Sequence, residues 1–268
     1  MFINLLLMLI ISLIGCSENS SSSDGKGVQP IVEGVDDVDV LNTYGGIEGF
    51  ERMQDFYEKL QKGIASTLRI VQFTIEGDPI VTDLTYDGDT IEIKEDYTRD
   101  AYGSGEITSY SCSNMIEEST STTQSYSLMD CNGDPDGLEV LLQIIYNMSE
   151  QDLFEVELKY GLGLENEINT LTKTTKKEIN ATETQQMSDF EMPKSVKQEI
   201  YKKLVFANYL GIKELKAKCD KDDEIKYQLK VHINGAQRKF HWAACDQSLD
   251  GLKFTEIAEY MIEQSYMK

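Results

Sequence analysis

IVQFTIEGDPIVTDLTYDGDTIEIK, residues 70–94, is the stretch whose reading decides the fold. Apolar and polar residues alternate on either side of Gly77-Asp78 and Asp87-Gly88, the pattern of three antiparallel strands joined by tight hairpins. Two-residue turns at both places would put Val71, Phe73, Ile75, Ile80, Thr82, Leu84, Ile91 and Ile93 on a core face. Gln72, Thr74, Val81, Asp83, Thr85, Thr90, Glu92 and Lys94 would then face solvent. Most of the carboxylates in the stretch fall at turns or on that polar face. The same register sets Asp83 directly across from Glu92, and like charges in that position destabilise a strand pair. Lys94, lying diagonally, would relieve them, and so would a bound calcium ion, which makes Asp83 and Glu92 candidate cation ligands.

Upstream, GIEGFERMQDFYEKLQKG (46–63) places Ile47, Phe50, Met53, Tyr57 and Leu60 at helical spacing and ends in Gly63, which predicts a helix. Downstream, EDYTRDAYGSGEI reads as a polar loop, SCSNMIEEST as a short helix and QSYSLMDC as a strand. In that reading Cys112 opens the helix and Cys131 closes the strand, so a bridge between them would clamp one to the other.

Several of these segments together resemble an uncharacterised lipoprotein family of low-GC Gram-positive bacteria, domain of unknown function 4362. They are Ile75-Glu76-Gly77-Asp78-Pro79-Ile80, Leu84-Thr85-Tyr86-Asp87-Gly88, Asp96-Tyr97-Thr98-Arg99-Asp100-Ala101-Tyr102-Gly103 and the two cysteines. The resemblance covers about residues 40–131. Where that family usually carries a His-Gly before its first helix, this chain has Tyr44-Gly45-Gly46. The resemblance implies lipid anchoring and an extracytoplasmic location, and it supplies no reaction and no catalytic residue.

The second half reads as another α+β unit. Strands are expected through 138–147, 153–160 and 166–179. A helix is expected at 193–210, with Pro193 in its first turn and Val196, Ile200, Leu204 and Ala207 on one face. KYQLKVHINGAQRKFHWAAC predicts a hairpin around Asn234-Gly235, with Leu229, Val231, Ile233, Phe240 and Trp242 turned inward. A terminal helix is expected over 250–266 through Phe254, Ile257, Ala258 and Met261. LKYGLGLENEINTLTKTTKKEI, with this helix and hairpin, resembles a second uncharacterised lipoprotein-associated domain, which is also silent about activity. The fold class expected is therefore α+β: two modules, each an antiparallel sheet with packed helices, at residues 40–131 and 132–268.

NGDPDGLE (132–139) begins like a calcium loop with Asn132, Asp134, Asp136 and Gly137, so Asp134 and Asp136 are further candidate cation ligands. The twelfth position of an EF-hand would be Gln143, which cannot chelate as a bidentate carboxylate, and VLLQIIY reads as a strand rather than an exiting helix. An acidic turn between the modules is the default. His232 and His241, the two histidines of the chain, both alternate away from the apolar face of their hairpin and read as surface residues. Gly103-Ser104-Gly105 is not a nucleophile elbow. Gly161-Leu162-Gly163 lacks the third glycine of a dinucleotide loop, and His-Glu-x-x-His and Walker patterns are absent.

The N-terminus, MFINLLLMLIISLIGCSENSSSS, has an apolar run of roughly a dozen residues, short of the ~20 that span hydrocarbon and suited to a signal-peptide core. Leu13-Ile14-Gly15-Cys16 resembles the bacterial lipoprotein box, in which the cysteine receives a diacylglyceryl group and the chain is cut just before it. The expectation is thus a signal peptide over 1–15 and a lipidated, Ser-rich tether over 16–39 with a reach on the order of 25–29 Å.

The net charge is −22. Residues 36–131 carry 20 acids and 6 bases, net −14, whereas residues 132–268 carry 24 acids and 18 bases, net −6. Such acidity argues against nucleic-acid binding, which needs Lys and Arg for phosphates. Beyond Cys16 the cysteines are Cys112, Cys131, Cys219 and Cys245. Four cysteines allow three pairings, of which the two local ones, Cys112 with Cys131 and Cys219 with Cys245, are favoured. With no Cys-x-x-Cys and two histidines, zinc is not indicated. The function expected is a membrane-anchored, non-catalytic binding module for an envelope ligand or protein partner, without a cofactor. The alternatives are a calcium-dependent module and a carboxylate-based hydrolase of cell-wall material.

Overall fold

A computed structural model describes residues 31–43, 45–132, 134–220 and 224–266. Cys16, the leader and most of the tether lie outside the described residues, as does Tyr44. Two sheets carry the chain. The first has eight strands: β1 Val40–Thr43, β2 Gly46–Glu48, β3 Ser66–Phe73, β4 Pro79–Tyr86, β5 Ile91–Asp96, β6 Ile107–Ser119, β7 Thr123–Cys131 and β8 Asp134–Ile145. Their spatial order is β2-β1-β3-β4-β5-β6-β7-β8. The second has six: β9 Phe154–Gly161, β10 Asn166–Asn169, β11 Thr174–Asn180, β12 Glu183–Ser188, β13 Lys226–Ile233 and β14 Ala236–Ala243. Here the order is β12-β11-β10-β9-β13-β14. Among the described residues there are also three α-helices, α1 Phe50–Gln61, α2 Lys194–Phe206 and α3 Leu249–Tyr266, and a 3-10 turn at Met148–Glu150. The α+β class expected from the sequence holds. All strand pairs are antiparallel except β1–β3, which run parallel because β2 and α1 form the crossover between them.

The opening stretch folds as three strands, but neither turn closes in two residues. Phe73 faces Pro79, so the first loop has five residues, 74–78, closed by Thr74 N–H donating to the Asp78 carbonyl at 2.9 Å. An odd loop inverts the parity of β3 against the expected register. Leu68 and Ile70 therefore face the core beside Thr82, Leu84, Tyr86, Ile91 and Ile93. Val71, expected on that face, lies on the other one together with Val81, where both are buried under Val32, Val35, Val38 and Leu41. Ile75, expected in the core, sits in the loop and is 89% exposed. The second loop has four residues, 87–90, because the Asp87 carboxylate accepts from the N–H groups of Asp89 and Thr90. An even loop preserves parity, so the expected faces of β4 and β5 survive for Leu84, Ile91 and Ile93.

Three further expectations are corrected. SCSNMIEEST is part of β6 rather than a helix, since long cross-strand pairing with β7 overrides its mixed local pattern. β7 and β8 form a hairpin, with Cys131 facing Asp134. The first sheet thus continues through Ile145, and the change of sheet falls between Tyr146 and Leu153, not at 132. The single strand expected at 166–179 is two, β10 and β11, because a turn at 170–173 with Lys173 at φ 56° reverses the chain.

The apolar stripe of α1 is Phe50, Met53, Phe56 and Leu60, which packs on the inner face of the first sheet. In the second sheet Val156, Leu158, Leu229, Val231 and Trp242 meet Phe254, Ile257, Ala258 and Met261 of α3. The Trp242 indole N–H donates to Thr255 Oγ1 at 2.9 Å. α2 lies between these groups. Phe206 is 4.6 Å from Phe50 and 5.5 Å from Tyr146, ring centre to ring centre, and one continuous apolar cluster runs from Val40 to Met261. Among the described residues no helix is long and apolar enough to cross a membrane.

Candidate functional site

The outer face of β3–β6 forms a concavity of about 490 Å³ lined by Thr67, Arg69, Asp83, Thr85, Glu92, Lys94 and Ser109, with Asp37 and Asp39 at one rim. Strand alternation places these residues. Leu68, Leu84 and Ile93 turn inward, so their neighbours in sequence turn out. The cross-strand partners align in rows: Thr67 with Thr85 and Arg69 with Asp83 on β3 and β4, then Thr85 with Glu92 and Asp83 with Lys94 on β4 and β5.

The second row corrects the sequence expectation. Asp83 is opposite Lys94, not Glu92, because the four-residue loop shifts the pairing by two positions. On its other side Asp83 is held by Arg69, whose Nε and Nη2 donate to the two carboxylate oxygens at 2.6 and 3.0 Å. This bidentate fork pairs the Asp83 charge and occupies one lone pair on each of its oxygens. The hydrogen bond to Asp83 holds the Arg69 guanidinium above its usual pKa. Arg69 also ties down the segment before β1. Its Nη1 donates to the Asp36 carbonyl at 2.8 Å and its backbone N–H to Asp39 Oδ2 at 3.0 Å, while Arg52 of α1 reaches Asp39 Oδ1. Arg69, Asp37 and Asp39 were not singled out from the sequence, and the sequence register makes Lys94 a diagonal neighbour of Asp83 rather than the residue facing it. The signal for Arg69 was its alternation with Leu68 and Ile70, just upstream of the stretch that seemed decisive.

The remaining predicted residues are dispersed. Asp134 and Asp136 are in β8, and their side chains lie outside the described residues. His232 and His241 are on the outer face of the second sheet and do not pair. His232 faces Glu155 on β9 and Gln237 on β14, and His241 faces Gln228. No group of three or more His, Cys, Asp or Glu placed to hold a metal ion occurs among the described residues.

The cysteines form two disulfides, Cys112–Cys131 and Cys219–Cys245, the local pairing favoured above. The first joins facing residues of β6 and β7 instead of clamping a helix to a strand. The second anchors the segment after α2 to the start of α3. Next to it Asp246 accepts from the backbone N–H groups of Lys216 and Ser248 at 2.8 and 3.0 Å. Burial alone would raise its pKa, but these bonds and the Ser248 hydroxyl hold the carboxyl below the usual aspartate value.

A smaller hollow of about 220 Å³ lies where the first sheet curls back on itself, lined by Asn42, Gln72, Gln143, Ile144 and Val205 among others. The Gln72 side chain donates to the Leu141 carbonyl at 3.1 Å and the Asn42 side chain to the Gln143 carbonyl at 3.5 Å. Side-chain amides of β1 and β3 thus satisfy carbonyls on the free edge of β8. Among the described residues this hollow has no ionisable side chain in its lining and is a seam of the fold, so the outer concavity is the stronger candidate for ligand contact.

No curated protein and no solved structure matches the chain. Residues 37–127, which span the concavity from Asp37 to Ser109 and about a third of the chain, match the family model of a domain of unknown function (DUF4362).

Proposed function

We propose that this chain is a lipid-anchored extracytoplasmic protein whose folded part binds a partner or envelope ligand without chemically converting it. The observation that carries the reading is the state of the cysteines. The four that follow Cys16 are used up in two bridges, the form cysteines take outside the cytosol. Cys16, at the end of an apolar leader, is left for acylation through Leu13-Ile14-Gly15-Cys16. Two acyl chains hold a protein stably at a bilayer, since each buried CH₂ contributes roughly 0.8 kcal/mol. The tether then carries the folded part away from the lipid. The concavity around Arg69 presents fixed charges of both signs on a rigid sheet face, which suits recognition of a polar ligand.

The test is metabolic labelling with palmitate followed by cell fractionation. The wild-type chain should take up label and remain with membranes, and the Cys16→Ser variant should lose label and appear in the medium or soluble fraction. Membrane retention of an unlabelled Cys16→Ser chain would overturn the reading.

A further inference from the structure

Sheet edges expose rows of unpaired N–H and C=O groups that invite another strand, and proteins usually cover, shorten or charge them. Three of the four edges here are treated in that way. β2 has only three residues. β8 has its Leu141 and Gln143 carbonyls met by Gln72 and Asn42. β14 is flanked by the chain that follows α2: Ala243 N–H donates to the Lys216 carbonyl and Arg238 Nη2 to the Gly211 carbonyl.

β12 is different. Among the described residues, nothing outside its own hairpin bonds to Glu183–Ser188. The β11–β12 hairpin projects as a ribbon, and every residue from Lys176 to Asp189 is exposed on both faces. Its outer strand reads Glu-Thr-Gln-Gln-Met-Ser. It has no proline and no lysine, and from Thr184 to Ser188 it carries no charge, so the usual devices against strand addition are missing.

We infer that β12 is a strand-pairing edge for a second copy of this chain, the two β12 strands lying antiparallel about a twofold axis. Charge balance makes this ribbon the place where a second copy can approach, and the uncharged strand is complementary to itself. Each chain carries −22 overall, and most of its surface repels an identical one. The ribbon from Lys173 to Asp189 is the exception, with Lys173, Lys176 and Lys177 balanced by Glu178, Glu183 and Asp189. Antiparallel pairing of β12 with itself sets Thr, Gln, Met and Ser side chains against one another and no like charges opposite across Thr184–Ser188. Such an interface is isologous and closes at two copies. Two short strands bury well under the ~1,200 Å² of a standard stable interface, so the association is weak and concentration-dependent. It does not depend on the lipid anchor.

The experiment is sedimentation velocity of the full chain in detergent over a hundredfold concentration range, with far-UV circular dichroism as a check on folding. The wild type should move from monomer to dimer as concentration rises. Thr184→Lys/Gln186→Lys, which puts like charges across the twofold, should stay monomeric at the highest concentration with an unchanged thermal midpoint. Gln185→Pro and Gln186→Pro form a second pair. Alternate N–H groups point outward along the edge, so one of these two removes only the outward donor and should abolish the dimer while leaving the β11 pairing intact. A wild type that is monomeric throughout would overturn the inference. So would a dimer that survives both the lysine variant and the two proline variants.

Discussion

Phe50→Ala tests whether the two sheets share one core. Phe50 is buried in α1 beneath the first sheet, 4.6 Å from Phe206 of α2 and 6.3 Å from Tyr126 of β7 between ring centres. Truncating a buried phenylalanine costs about 3–5 kcal/mol, the lost transfer energy plus the cavity left behind. For a chain of this size each kcal/mol lowers Tm by ~2–4 °C, so a fall of roughly 6–20 °C is expected. The reporter is Trp242, the single tryptophan of the chain. It stands in β14 of the second sheet, 1% exposed and stacked on Tyr227. If the cluster from Val40 to Met261 unfolds as a unit, tryptophan emission and far-UV dichroism should give coincident transitions in wild type and variant, both shifted by the same amount. The reasoning fails if the Trp242 transition stays where it is while the dichroism melt splits in two. That result would mean the Phe50–Phe206 contact joins two bodies that unfold separately.

The other predictions concern Asp246 and the disulfides. Asp246→Ala removes the acceptor for Lys216 and Ser248 at the entrance to α3 and should cost about 1–2 kcal/mol at neutral pH, as loss of a helix cap does. Because the folded-state pKa of Asp246 lies below that of the unfolded chain, its contribution is fully present above the ordinary aspartate value. It is lost as pH falls through the folded value. Urea titrations of both proteins should therefore differ at pH 7 and converge at the acid end, whereas a gap that widens on acidification would reject the assignment. Intact mass without reductant should show four hydrogens missing relative to the reduced chain. Cys219→Ser/Cys245→Ser, which opens a loop with a sequence separation of 26, should lower stability by about 3.5 kcal/mol in the chain-entropy account. Free thiols at these positions in the purified protein would count against both statements.

The hairpins show what could be read in advance. At Asn234-Gly235 the turn is the two-residue one the dipeptide signals. Ile233 faces Ala236, and the inward set of Leu229, Val231, Phe240 and Trp242 follows from alternation alone. At Gly77-Asp78 the same reasoning failed. Pro79 has no N–H to close a tight turn there, and the loop instead closes through Thr74 and Asp78. Parity then depends on which backbone groups bond across the loop, a choice the local residues leave open. Where parity slipped, so did the site: Arg69 came onto the face of Asp83, and Val71 went under Val32–Leu41.

The chain's own pattern was enough for the strand-rich α+β class, for most elements in the second half and for the cysteine partners, because these follow from periodicity, turn residues and short loops. Tertiary structure decided the rest. The curl that brings Asn42 and Gln72 to β8 joins residues 69 to 101 positions apart. The placement of α2 against Phe50 and Tyr146, and the exposure of β12 while other edges are covered, are long-range outcomes of the same kind. Each depends on packing and hydrogen bonds between residues far apart in the chain, and no local window of sequence contains both ends of such a contact.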